Sequence, residues 1–582
     1  MDQTLLARAR QFLPRGRIDL ALQALAPALQ AVPVPAESLK LLARLALHQQ
    51  LMPLAKQALQ RAMAELPDDP ETHALVAAAA RIQGQPDALE AAARRALALD
   101  PGHPVAAALL SEHLRDRLRL GEAREVTDAC LAVRPDDYGT RLARAGLQMF
   151  SGDAAAAMAD ADVARQQSPS LQARQVACMA SLYVDRLDAR QVMARHLEVG
   201  ASIPPLTLPL APRRPYAPGH RPLRIGLLSP DLRRHPVGSF IAPLLAGLPR
   251  PRTHAICFSD AAPDDASRRL QGFADTWHDT RALDDTRVFR LIQSEAIDVL
   301  VDLAGHTHGS RPALLASRTA PLQVVYLGYL HDTGMAGCDG VVGDALTLPS
   351  GTASARAPLR LPGCFLCFEP APDAPPVCER PAAGEVVFGS FNHLAKLSPD
   401  TVSLWSALVQ RVPGSRLVLC ALGLQDESVR RGVRARFAAH GVGDGRLELR
   451  APVTDPAAFL RQYDDIDIAL DPLPFNGGTT TLQALWQGVP VLSCPRDTMA
   501  SRSGASILHA AGLGDWVASG GADFIARGER LASDAGLRAT LRATLRASMR
   551  ERIQAAGLTD GPRFAQGFVA LLESTLLARN AG

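Results

Sequence analysis

Five prolines, Pro33, Pro67, Pro101, Pro135 and Pro169, stand 34 residues apart along the first third of the chain, each step identical. Proline lacks a backbone N–H and clashes with the preceding helical turn, so prolines at a fixed interval punctuate a repeated helical unit. Between them lie two helical runs broken near the middle. In "ETHALVAAAARIQGQPDALEAAARRALALD" Gly84 and Pro86 make the break. Leu75, Ala78, Ala79 and Ile82 share one face of the first run, and Leu89, Ala92, Ala93, Ala96 and Leu97 one face of the second. The many alanines let paired helices approach closely. The spacing predicts an α superhelix of about five helix-turn-helix units over residues 1–200, with the fourth unit moving its turn to Gly121. Such an array presents a long groove suited to a peptide or protein segment; a passive arm or a homodimer surface is the plainer alternative.

Residues 201–222, "ASIPPLTLPLAPRRPYAPGHRP", carry seven prolines and end the helical region as an extended strap. Beyond it the period becomes strand then helix. "LRIGLLS" (223–229), "THAICFS" (253–259), "IDVLVDLAG" (297–305) and "LQVVYLGY" (322–329) predict a first parallel α/β lobe over 223–380. "EVVFGSF", "SRLVLCAL", "RLELRAPV", "DIDIALDP" and "VPVLSCP" predict a second over 381–582. Two doubly wound lobes in succession create a cleft lined by loops leaving the carboxyl ends of their strands.

A formal charge of +3, with Arg and acidic residues interspersed, argues against a nucleic-acid or membrane partner. Nine cysteines, an odd number, read as reduced thiols of a cytoplasmic protein. Cys364 and Cys367, a lone C-x-x-C, read as buried strand residues. No leader peptide and no run of about 18 apolar residues is visible.

Chemistry concentrates in the cleft loops. In "DPLPFNGGTTTLQALWQGVPVLSCP" Gly477 to Thr481 stand where a helix begins, and backbone freed of side-chain bulk at that positive end suits a phosphate; a Thr N-cap after a Gly turn is the bland reading. In "FNHLAKLSPD" Ser398 is the expected N-cap with Pro399 at the first helical position, and Lys396 precedes them. A lysine there can neutralise charge developing on a leaving phosphate; a solvated surface lysine is the alternative. In "LLSPDLRRHPVGSF" the chain leaves its first strand through Asp231, Arg234 and His235 towards a helix starting near Gly238. Histidine is a natural base near neutral pH, and Asp231 can assist it. His306 and His308 hold a similar strand-end position.

The ordered set "SPDLRRHP", "DLAGHTHGSRP", "LGYLHDTG", "FNHLAKLSP", "DPLPFNGGTTT", "LWQGVPV" and "ASRSGAS", behind repeats that resemble the tetratricopeptide type, closely resembles the O-linked N-acetylglucosamine transferases across nearly the whole chain. The resemblance implies a GT-B unit of twin Rossmann-like lobes that inverts the anomeric centre of a nucleotide sugar, UDP-GlcNAc, onto protein Ser or Thr hydroxyls, with no metal or other cofactor. It implies that Lys396, Thr479 and Thr480 meet the donor diphosphate, with His393, Gly477 and Gly478 beside them. Leu327 and Gly328 fall near the donor sugar, and Val453 and Thr454 at the nucleobase. Asp231 and His235 match the acidic and imidazole groups of the first loop, and His196 is a second-rank candidate on the catalytic face. Departures concern the nucleotide. Phe459 replaces a histidine that faces the uracil, Pro456 and Gln462 replace a lysine and an arginine, Gln483 an aspartate, and Gly478 a sugar-side histidine. "FNHLAK" and "NGGTTT" lean towards the plant branch, which uses GDP-fucose. A repeat scaffold without turnover is the remaining alternative. "DID" at 465–467 mimics a metal-binding Asp-x-Asp but precedes its strand instead of following it.

Overall fold

The computed structural model describes residues 2–33, 35–168, 170–211, 215–379 and 384–581. Pro169, part of the linker and the expected lobe boundary at 380 lie outside them. Chain contacts divide the molecule into two compact units. The first comprises Met1–Gln148 and Ala159–Ala173 with the short segment Asp426–Val429; the second comprises Met149–Met158, Arg174–Gln425 and Arg430–Gly582. The boundary of compactness therefore falls nearer 173 than 200. Helices Leu171–Ser181 and Ala189–Ala201 continue the repeat pattern, but they pack with the second unit.

The helices Ala36–His48, Pro70–Ile82, Pro104–Asp116 and Tyr138–Ser151 begin 34 residues apart, as do their partners Met52–Glu65, Pro86–Leu99, Leu120–Val133 and Ala154–Gln167; all of them lie in the first unit except for residues 149–158 of the last pair. Pro67, Pro101 and Pro135 each stand two residues past a second helix, where the chain must stop being helical. Asp69 caps the helix that follows Pro67, its carboxylate accepting the Thr72 N–H at 2.7 Å. Leu75, Ala79, Leu89, Ala93 and Ala96 are buried as the pattern requires, whereas Ile82, on a last turn, is 48% exposed.

One expectation is corrected. Gly16, Gln50, Gly84, Leu118 and Gly152 have φ of 67°, 58°, 65°, 58° and 83°, again 34 residues apart. Each unit thus turns through one left-handed residue. The turn expected at Gly121 sits in register at Leu118, and Gly121 lies inside the helix Leu120–Val133. The sequence misleads there because the turn is made without a glycine.

The second unit holds two parallel sheets. The first has order β3-β2-β1-β4-β5-β6-β7: β1 is Leu223–Ser229, β2 Thr253–Ser259, β3 Thr276–Asp279, β4 Val299–Asp302, β5 Leu322–Tyr326, β6 Gly340–Asp344 and β7 Leu359–Leu361. The second has order β10-β9-β8-β11-β12: β8 is Val387–Ser390, β9 Arg416–Cys420, β10 Leu447–Arg450, β11 Ile468–Leu470 and β12 Val491–Leu492. All pairs are parallel. Strand order reverses between β1 and β4 and between β8 and β11. A parallel sheet opens a crevice at such a reversal, outside the strands' carboxyl ends. Cys364 and Cys367 lie after β7, outside any strand. Cys367 is buried, and the Cys364 thiol lies 3.4 Å from Ser506 Oγ of the second lobe. Among the described residues no helix is long and apolar enough to cross a membrane.

Candidate active site

Both crevices are built by the loops the sequence singles out. In the second lobe β8 runs into Phe391, Asn392 and His393, then a single 3-10 turn, Leu394–Lys396. His393 caps that turn, Nδ1 accepting the Ala395 N–H at 3.1 Å, and burial lowers the ring's pKa to about 4. Ser398 caps the next helix, Pro399–Arg411, accepting the Thr401 N–H at 3.1 Å, as expected. Lys396 is thereby held between two capped turns.

Its ammonium donates to the Asn476 carbonyl at 2.7 Å and to Asn392 Oδ1 at 3.3 Å, and lies 4.5 Å from the centre of the Phe475 ring. No carboxylate among the described residues forms an ion pair with it. Burial pulls its pKa down to about 8, the charge of Asp471 acting the other way. Thr480 Oγ1 donates to the same Asn392 Oδ1 at 2.9 Å, so one amide oxygen ties Lys396 to the helix Thr479–Trp486.

Asp471, 1% exposed, shapes the loop that precedes that helix. It accepts the Gly477 N–H at 2.8 Å, the Ser493 hydroxyl at 2.7 Å and the Thr481 hydroxyl at 3.3 Å, while burial raises it to about 6. A Cβ on Gly477 would stand 2.5 Å from Thr481 Oγ1 and 2.6 Å from Thr480 Oγ1, so glycine is required by crowding. Gly478 differs: a Cβ there would meet only Leu366 Cδ1, at 3.8 Å. It is the N-cap and supplies no side-chain acceptor, so the Thr N-cap of the bland reading is absent and the helix's positive end stays open.

On the nucleobase side, Phe459 is half-buried and packs with Phe391, centroids 5.9 Å apart, while Phe391 lies 4.2 Å from Tyr463. Val453 and Thr454 are exposed in the loop after β10. Asp465 and Asp467 are held by arginines, Asp465 by Arg450 at 2.5 Å and Asp467 by Arg542 at 2.8 Å.

In the first lobe the helix begins at Pro236, two residues before the expected Gly238, because His235 caps it and Pro236 fits the first helical position. His235 Nδ1 accepts the Val237 N–H at 3.3 Å and lies 3.8 Å from Asp231 Oδ1. A ring whose Nδ1 accepts carries its neutral-state proton on Nε2. Leu327 adopts φ 67°, and a Cβ on Gly328 would lie 1.7 Å from the Leu303 carbonyl oxygen, so this stretch after β5 is tightly constrained. His196 is an interior residue: Nδ1 donates to the Val192 carbonyl at 2.7 Å and Nε2 accepts the Tyr329 hydroxyl at 2.6 Å. The rings of His306 and His331 lie 5.6 and 4.3 Å from it, and burial holds all three below the usual histidine range. His308 is exposed.

A cavity of about 250 Å³ joins the lobes, lined by Arg233, Arg234 and Ser239 from one and Leu460, Thr479 and Gln483 from the other. The structure thus gathers Lys396, Thr480 and Gly477 into one network and puts Thr479 on the cavity wall. Sequence reasoning missed Asn392, Phe475 and Asp471. All three lie inside quoted motifs, but an amide, a ring and a lone carboxylate carry no signal until the β8 and β11 loops are seen to meet.

The glycosyl transferase family 41 model matches residues 211–357 and 380–565. The chain is 32% identical over 358 residues to an Arabidopsis thaliana protein named probable UDP-N-acetylglucosamine–peptide N-acetylglucosaminyltransferase SPINDLY, covering 60% of this chain and 38% of that one. It is 33% identical over 323 residues to its namesake from Oryza sativa subsp. japonica, covering 54% and 35%. The chain therefore spans less than two fifths of these curated relatives. A solved structure, a lysine-to-methionine mutant of the Thermobaculum terrenum O-GlcNAc transferase, superposes with a TM-score of 0.80 at 30% identity, over 88% of this chain and 98% of that one. With the family match extending over more than half of its length and across both lobes, the chain belongs to glycosyl transferase family 41.

Proposed function

We propose that the protein is an inverting, metal-independent glycosyltransferase that moves N-acetylglucosamine from UDP-GlcNAc to Ser or Thr hydroxyls of proteins. The observation that carries the reading is Lys396, a buried ammonium with no carboxylate partner among the described residues, tied through Asn392 to the uncapped helix at Thr479. A donor diphosphate would complete both. The acceptor oxygen attacks the anomeric carbon, the bond from that carbon to the β-phosphate oxygen breaks, and UDP leaves with its new charge facing Lys396 and the helix end. The hydroxyl proton passes to the loop of Asp231 and His235 on the opposite cleft wall, the side from which inversion requires attack. Asp231 can accept it directly; His235 can accept it at Nε2 only once the Val237 cap is released and the ring's own proton has moved to Nδ1. Phe459 offers a ring for the base, Val453 and Thr454 backbone groups, and Leu327 and Gly328 the wall beside the sugar. The repeats hold the acceptor protein.

The names of the relatives favour UDP-GlcNAc. The "FNHLAK" and "NGGTTT" motifs, which lean towards the plant branch, keep GDP-fucose as the competing donor. The test incubates purified protein and a Ser/Thr-containing peptide library with each nucleotide sugar, and reads nucleotide release and peptide mass. Glycopeptide from UDP-GlcNAc supports the reading, transfer from GDP-fucose replaces the donor, and consumption of neither leaves a binding scaffold.

A further inference from the structure

Three arginines line the cavity between the lobes, and two of them are engaged. Arg269 pairs with both carboxylate oxygens of Glu369, at 2.5 and 2.6 Å, and Arg233 lies 3.5 Å from Asp231. The third, Arg234, has an exposed side chain with no ion pair or hydrogen bond among the described residues. Its backbone is fixed, the N–H donating to Asp264 Oδ2 at 2.8 Å, and Asp264 is itself the N-cap of the helix Asp265–Gln271. A guanidinium that feels the Asp264 charge but makes no ion pair or hydrogen bond among the described residues is thus carried on an anchored loop and lines the same cavity as Thr479 and Gln483 of the second lobe.

Glu369 is the sole acidic residue on that cavity's wall, and Arg269 neutralises it. On the wall itself three arginines face one carboxylate, a lining that suits an anion. Pro456, Gln462 and Gln483, the positions that the resemblance assigns to the nucleotide in the second lobe, carry no cation. We infer that Arg234 supplies the missing cation from the first lobe: it binds the diphosphate of the nucleotide sugar across the cleft from Thr479 and Lys396. This rests on the donor reading above and adds a binding residue to it. A guanidinium offers two parallel N–H donors to phosphate oxygens, a geometry a lysine cannot reproduce. A diphosphate held from both walls also ties the lobes together, so donor affinity depends on the first lobe as well as the second.

The test is calorimetric titration of UDP and GDP into the full chain and into Arg234→Ala, Arg234→Gln, Arg234→Lys and Arg233→Ala. For the nucleotide that the parent binds, Arg234→Ala and Arg234→Gln are expected to weaken binding about 10- to 100-fold, the range for one charge-assisted contact. Arg234→Lys recovers part of the loss, and Arg233→Ala, whose guanidinium is already paired, stays within about twofold. The dependence of affinity on salt is shallower in the two neutral variants than in the parent. Unchanged thermal midpoints without nucleotide establish that the exposed side chain was not holding the fold. Parental affinity in Arg234→Ala and Arg234→Gln overturns the inference alone, as does an equal loss in Arg233→Ala, which would make the loop's net charge responsible. A parent that binds neither nucleotide overturns the donor reading together with it.

Discussion

Lys396 is charged where solvation favours it least. Its pKa, about 8 against an ordinary 10.5, means that the unfolded chain holds this proton more tightly than the folded one. The charge therefore costs stability fully below pH 8, and the cost fades as pH rises from 8 to 10.5. Two outcomes follow from one side chain. Lys396→Met should raise the thermal midpoint of the nucleotide-free protein by about 2–4 °C at pH 7 while lowering turnover at least about 100-fold. Affinity of the parent for UDP should fall as pH rises through 8, whereas Lys396→Arg, whose charge persists, should keep its affinity over that range. A destabilised Lys396→Met would place the lysine among structural residues. On the opposite wall, Asp231→Asn should reduce transfer about 10²–10⁴-fold with UDP affinity retained. His235→Gln keeps an N–H donor near Nε2 but cannot serve as a base. If it transfers like the parent, the carboxylate accepts the proton; if it fails like Asp231→Asn while still binding UDP, the ring does.

The repeat is an element defined by its turn. Gly84 and Gly152 adopt left-handed backbone at little steric cost, but Gln50 and Leu118 place a Cβ where it crowds the following carbonyl. Gln50 is exposed, so its side chain contributes little packing to offset that strain. Gln50→Gly should therefore stabilise the array by about 0.5–1 kcal/mol, seen as a raised thermal or urea midpoint, despite adding a glycine. A lowered midpoint would show that the unfolded-state entropy of glycine dominates. Legibility from sequence follows the same physics. The solenoid was readable because punctuation by proline is steric and periodic, yet the turn at Leu118 was not, because nothing in a leucine announces positive φ. The central strands of both lobes were readable as short apolar runs. β3, "TWHD", was missed because it is partly exposed and polar, β6 because "GVVGD" is short and glycine-bounded, and β7 because three edge residues hold no pattern. In the site, charged and glycine-rich motifs were visible, while Asn392 works through a contact 88 residues away in sequence and Asp471 through hydroxyl and backbone partners that only the folded loop brings to it.

At the scale of the whole molecule, the two sheets share a strand order around their reversals, 3-2-1-4-5 in the smaller and the same core in the larger, so each lobe aims its first and fourth loops at the cleft. In the proposed site positive charge comes from Lys396, a helix end and the arginine loop, and Asp465 and Asp467 are already held by guanidinium groups. Turnover should accordingly be unchanged by excess chelator and not stimulated by added Mg²⁺ or Mn²⁺; a rate that collapses on chelation and returns with one of these ions would assign the charge neutralisation to a metal. The placement of Cys364 turns the unmodified chain into its own sensor. Seven of the nine thiols are buried, and Cys364 abuts Ser506 of the opposite lobe with its pKa pushed up to about 12 by burial. Little reactive thiolate exists while the lobes are together. Maleimide labelling at Cys364, followed by mass spectrometry against Cys378 as the half-exposed internal reference, should time the parting of the lobes, and saturating UDP should slow Cys364 while leaving Cys378 at its own pace.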